Sequence, residues 1–181
     1  MKPLHIANRA ARRLWLAQNL IGTPLRDPLA IIRRLGFLQI DTIRNVARAQ
    51  DHILWTRAVS YREEQVWRLL NSRDLFEHFT HDASLIPTDG LPDWTRRFHV
   101  VGELTARSSW FHSGLGQAEI RAIHDRIKAE GPLSTHAFDT KHVGPKEMWA
   151  RPPHKKALDQ MWYAGTLATA QREKFVKFYD L

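Results

Sequence analysis

Cysteine is absent from all 181 residues. That absence excludes a disulfide framework, a thiolate metal site and a cysteine nucleophile, which removes several enzyme classes together. No apolar run approaches the roughly 18 to 20 residues of a membrane span. The opening MKPLHIANRAARRLW has neither the apolar centre nor the cleavage site of a signal peptide, so a cytoplasmic location without a membrane partner is expected. Glycine-rich phosphate loops, nucleophile elbows, HExxH and Walker segments are missing too, which sets aside nucleotide hydrolases and zinc proteases. Acidic residues are scarce beside basic ones: 19 Asp/Glu stand against 27 Lys/Arg, a formal net charge of +8.

What is present is ordinary in bulk and uneven in placement. An apolar fraction of 43% and a charged fraction of 25% suit a packed soluble protein, one large domain or two small ones. Residues 1 to 57 carry ten Lys/Arg against three acids, and nine of those ten cations are arginine. Arginine binds phosphate through a planar fork of donors, so a nucleic-acid backbone is the leading partner for this block. A solvated basic surface with no partner is the other reading.

Periodicity predicts a helix from about Leu4 to Leu20, with an apolar stripe of Ile6, Ala10, Leu14, Ala17 and Ile21. A second helix, Pro28 to Leu35, has Asp27 as N-cap, proline in its first position and Gly36 as stop. FLQIDTI (37–43) reads as a short extended segment, and a helix is predicted from Arg62 to Leu70. FEHFTHDASLIP resists assignment, Pro87 to Asp93 marks a loop and Trp94 to Ala106 reads as helical. SSWFHSGLG is linker-like. Further on come a helix from Gln117 to Glu130, a short helix from Ser134, a helix opened by Pro153 and stopped by Gly165, and a hairpin around REK. Helix, short helix, helix, hairpin is the order of a winged helix, in which the helix before the hairpin holds the recognition position.

Gln39 and Asp41 stand out chemically. On an extended segment residues two apart share a side, so both polar groups face one way while Leu38 and Ile40 face the core. They sit between Arg33, Arg34 and Arg44, Arg48. Two readings stand: a reactive carboxylate with an amide partner, or an Asp41 salt bridge to a nearby arginine beside an ordinary surface glutamine. Glu77, His78, His81 and Asp82 offer metal-type ligands, but His-x-x-His lacks the further ligands of a zinc motif. Packed or hydrogen-bonded histidines at a helix end are expected instead, with no metal and no cofactor. Trp15, Trp55, Trp67 and Trp162 lie in periodic segments and are expected in the core. Trp94, Trp110 and Trp149 lie in or beside loops, as hinge contacts or as a stacking platform for a base. Arg151, His154, Lys155, Lys156 and Gln160 read either as a DNA-contacting helix face or as a solvated helix start.

The runs LGFLQIDTIRNVARAQDHILWTR (35–57), LFEHFTHDASLIP (75–87), GPLSTHAF and KKALDQMWYAGTLATAQREKFVKFYDL together resemble the YcaQ/AlkZ group of winged-helix DNA glycosylases, in particular its YcaQ-like branch. The resemblance implies tandem winged-helix domains, followed in the family by a further winged helix and a small β-barrel. It also implies cleavage of the N-glycosidic bond of alkylated or crosslinked purines, with Gln39 and Asp41 forming a Gln-x-Asp catalytic motif. Departure of a base leaves an oxocarbenium-like sugar, which a carboxylate can stabilise while activating water. Many relatives have His-His after Arg-Ala where this chain has Gln50 and Asp51. The chain stops at Tyr179-Asp180-Leu181, just after the second hairpin, which leads to the expectation of the N-terminal half of a longer enzyme.

The reading is a mostly α fold with small β hairpins (α+β). Residues 1–92 form a first winged-helix unit, 93–116 a connector and 117–181 a second unit. The expected partner is damaged duplex DNA, contacted by Arg12, Arg13, Arg33, Arg34, Arg44, Asn45, Arg48, Arg57, Arg151, Lys155 and Lys156, and the chain is expected to be a monomer. The competing reading is a winged-helix DNA-binding protein without catalysis, either a regulator or an inactive remnant. A regulator prefers a defined sequence, so competition binding on random and selected duplexes separates the two.

Overall fold

The computed structural model describes residues 3–138 and 151–181. It is a mixed α+β structure of seven helices and two three-stranded antiparallel sheets among the described residues. The first half runs α1 (Asn8–Gln18), α2 (Pro28–Leu35), β1 (Leu38–Gln39), α3 (Ala49–Trp55), α4 (Glu63–Asn71), β2 (Leu75–Phe79) and β3 (Ala83–Pro87). After α5 (Leu91–Arg107), the second half runs α6 (Gln117–Glu130), β4 (Leu133–Ser134), α7 (Pro153–Tyr163), β5 (Ala168–Glu173) and β6 (Val176–Asp180). The two halves repeat one plan. Each sheet is ordered first, third, second strand, as β1-β3-β2 and β4-β6-β5.

Local chemistry explains the well-marked boundaries. The Asp27 carboxylate accepts from the Leu29 and Ala30 amides at 2.9 and 3.2 Å, capping α2, and Gly36 ends it at φ 88°. The α2 face carrying Ile31 and Ile32 joins Leu38, Ile40, Leu54, Val66, Leu70 and Leu85 in the first core. Gly165 ends α7 at φ 71° and lies so close to Phe98 of α5 that a Cβ would meet its ring at 2.6 Å. The second core gathers Ile123, Ile127, Leu158, Met161, Trp162 and Tyr179.

Several expectations change. Of the expected stripe only Ala10, Leu14 and Ala17 lie on α1, and none is buried: Leu14 is 55% exposed, and Trp15, expected in the core, is 61% exposed. Trp55 is also exposed, whereas Trp162 is buried, and Trp149 lies outside the described residues. FEHFTHDASLIP forms the β2–β3 hairpin, and residues 49–55 form a helix that periodicity does not announce. At the predicted short helix after Ser134 there is a two-residue strand and one 3-10 turn, Thr135–Ala137. The last hairpin turns at Lys174 and Phe175, both with positive φ, as a two-residue hairpin requires.

The halves meet through buried charge and aromatic rings. Glu77 on β2 is 2% exposed and accepts two hydrogen bonds from the Arg172 guanidinium, each at 2.6 Å, with Lys177 Nζ at 3.0 Å. Burial alone would raise its carboxyl, yet the Lys177 and Arg172 cations bring it below the ordinary value. His78 stacks on Trp162 at 4.9 Å and meets Trp94, Phe98 and Tyr163 edge-on. Desolvation lowers this imidazole to about 4, and its Nε2–H donates to the Tyr163 carbonyl at 3.2 Å.

Candidate active site

The polar pair sits where the first sheet meets α3. β1 pairs with β3 in the register Gln39↔Ser84, and the Ile40 amide continues the ladder to Ala83 O at 2.9 Å. Leu38 and Ile40 are buried and alternate with half-buried Gln39 and Asp41, so the extended-segment expectation holds for the pair. Gln39 reaches the β2–β3 turn: its Oε1 lies 3.2 Å from His81 Nε2 and its Nε2 3.4 Å from an Asp82 oxygen. Asp41 is held differently. Its own Oδ1 accepts the Ile43 amide at 2.9 Å, closing an Asx turn, and its amide donates to Gln50 Oε1 at 3.1 Å. Among the described residues Asp41 has no arginine partner, so the surface salt bridge does not form.

Gln50 is 1% exposed on α3, and sequence position gave no sign of its link to Asp41 nine residues away. Next to it Asp51, 2% exposed, accepts the Tyr61 hydroxyl at 2.9 Å. Burial raises the Asp51 carboxyl, against the lowering effect of that hydrogen bond. Both residues thus tie α3 into the scaffold behind Asp41. Gln50→Leu leaves the Asp41 amide without its buried acceptor, a cost of about 1–3 kcal/mol. Displacing the carboxylate is expected to slow any reaction it serves about tenfold or more, while duplex affinity holds; single-turnover rates and binding curves on one preparation check this.

The cations divide into two groups. Arg12, Arg13 and Asn45 are exposed and have no hydrogen-bond or ion-pair partner among the described residues. Arg33 pairs with Asp89 at 2.9 Å, Arg34 donates to Gln18 at 2.8 Å and Arg44 pairs with Glu63 at 3.1 Å; all three remain exposed. Arg57 instead donates to the Asn19 and Ile53 carbonyls at 2.8 and 3.0 Å, tying the end of α1 to α3. Arg48 is half-buried with its guanidinium 4.3 Å from the Phe175 ring centre. Arg151 and Lys155 both bind the buried Asp159 carboxylate, and Arg151 also covers Trp110 at 4.5 Å. In place of a free basic helix face, α7 presents an internal ion cluster there, with Lys156 half-buried beside it. Glu77 and His78 serve the contact between the halves rather than joining His81 and Asp82, and no group of three or more metal-type side chains occurs among the described residues.

These features define an α+β protein that sets a carboxylate and an amide within an arginine-rich first half. The family model of AlkZ-like DNA glycosylases matches residues 32–181, and the chain belongs to that family. No solved structure matches it. DNA is therefore the partner class of its family, and no helix among the described residues is long and apolar enough to cross a membrane.

Proposed function

We propose that this chain hydrolyses the N-glycosidic bond of alkylated or crosslinked purines in duplex DNA, with Asp41 as electrostatic stabiliser and general base and Gln39 as the group that orients water. The observation that carries this reading is Asp41 itself: a half-buried carboxylate, its backbone fixed by Gln50, without a neutralising arginine inside an arginine-rich unit. Such a carboxylate is poised to face a developing cation.

In the reaction the C1′–N9 bond breaks and its electron pair passes to the leaving base. Alkylation at N7 makes that base cationic, so it departs neutral without needing a proton. Positive charge gathers on the sugar, where Asp41 opposes it; water forms the new bond to C1′ and gives its proton to the carboxylate. Gln39, linked to His81 at 3.2 Å, offers an amide to hold that water.

The architecture supports the reading at a second level. In both halves a helix, strand, helical segment, helix and hairpin succeed one another, with strand order first, third, second. That is winged-helix order, so residues 1–92 and 117–181 are taken as tandem winged-helix units joined through α5, with 93–116 as connector. Exposed Arg12, Arg13, Arg33, Arg34 and Asn45, with Arg44 and Lys156, are assigned to the phosphate backbone; Arg48, Arg57, Arg151 and Lys155 chiefly hold the scaffold. Incubation with a duplex carrying one N7-alkylated guanine tests the function: free base and an abasic strand are expected. Sequence-selective binding without base release would favour the regulator instead.

A further inference from the structure

The loop that leaves Asp41 carries two apolar side chains into solvent. Ile43 is 67% and Val46 82% exposed, while Ala47 just beyond is buried. This loop has fixed supports on both sides. The Ile43 amide is bound by the Asp41 carboxylate at 2.9 Å, the Arg44 guanidinium is bound by Glu63 at 3.1 and 3.4 Å, and Arg48 at its far end covers Phe175. Two branched aliphatic groups are thus displayed on a tethered turn, with Arg44 and Asn45 between them. β-Branched side chains have few rotamers to lose, so they form a stiff probe.

We propose that Ile43 and Val46 are an apolar wedge that enters the base stack beside the lesion, opening the step while Asp41 meets the sugar. The proposal rests on the glycosylase reading and specifies how that site reaches its substrate. Exposed aliphatic groups lose water favourably against the faces of bases, and wedges of this kind unstack a base step and kink the duplex. The flanking cations suit the phosphates that a kink draws inward. A crosslinked purine is tied to the opposite strand and cannot swing out freely, whereas a wedge exposes its glycosidic bond with the base still in place. The short tether between Ile43 and Asp41 fixes the distance from wedge to carboxylate, which makes the pair a determinant of where the enzyme cuts.

The test places 2-aminopurine next to an N7-alkylated guanine and follows its fluorescence as the full chain binds, with base release measured on the same duplex. Wild type is expected to raise the fluorescence. Ile43→Ser/Val46→Ser is expected to abolish the rise and slow release about tenfold or more, keeping its unfolding temperature and the salt dependence of binding. Ile43→Leu/Val46→Ile is expected to keep both signals. Unchanged fluorescence and release in the serine variant, or no rise with wild type at saturation, overturns the wedge. A rise that depends on Ile43 and Val46, without any base release, sustains the wedge and rejects the glycosylase reading.

Discussion

Asp41→Asn is expected to lower base release about a hundredfold to ten-thousandfold, the range that a positioned general base contributes. The substitution is close to isosteric, and the Asn carbonyl oxygen can still accept the Ile43 amide at 2.9 Å, so the turn survives. On the proposed mechanism, what disappears is the negative charge opposite the oxocarbenium-like sugar and the acceptor for the proton of water. Duplex affinity is expected to stay the same or to increase, because a carboxylate within an arginine-rich unit repels phosphate. Release and affinity measured side by side at one salt concentration check the split. A parallel loss of both would mean that Asp41 serves the fold or the DNA contact rather than the chemistry.

Glu77→Leu carries the largest expected cost in stability, about 3–5 kcal/mol, because removing one partner of a buried ion cluster strands the rest. Arg172 would lose both of its 2.6 Å bonds to the carboxylate and Lys177 its 3.0 Å contact, at the junction of the two halves. Lys177→Met should cost much less. Burial already lowers that ammonium to about 8 against the upward pull of Glu77, and the bidentate Arg172 pair remains in the variant. The linked pH effect has a definite sign. The folded carboxyl titrates below its ordinary value, so its contribution is present above about 4.3 and fades as pH falls through the lowered folded value. Urea unfolding of the two variants and wild type, repeated across that acid range, measures both effects.

Much of the fold was legible because local and tertiary forces agree. The α2 cap, the stripe of α6 and the glycine stop of α7 each combine a backbone signal with a face that is buried in the structure. The helix α3 escaped notice because its buried side includes Gln50 and Asp51, polar residues that erase an apolar period. The β2–β3 hairpin escaped for a related reason. It lies between the two halves, so Glu77 and His78 are buried in succession and residues 84–87 are buried throughout, leaving no alternation to read. In α1 the opposite holds: periodicity marks the helix, but nothing among the described residues covers its apolar stripe.

The candidate site divides along the same line. The placement of Gln39 and Asp41, half-buried between buried Leu38 and Ile40, was readable because it follows the two-residue alternation of an extended chain. Gln50 was not, since its hydrogen bond to the Asp41 amide exists only once α3 packs beside β1. Charge alone also says little about which arginines remain free. Lys155 and Asp159 are four apart on α7, a spacing that favours pairing within the helix, whereas the tie from Arg57 to the Asn19 carbonyl is tertiary.

The most direct test of the central claim is product analysis after single turnover on a duplex with one N7-alkylated guanine, run on wild type and Asp41→Asn side by side. A glycosylase acting through Asp41 is expected to yield the free alkylated base and an abasic strand with its backbone uncut, both about a hundredfold to ten-thousandfold more slowly with Asp41→Asn. A duplex that is bound but unchanged, or base release of equal rate in the two proteins, would contradict the account.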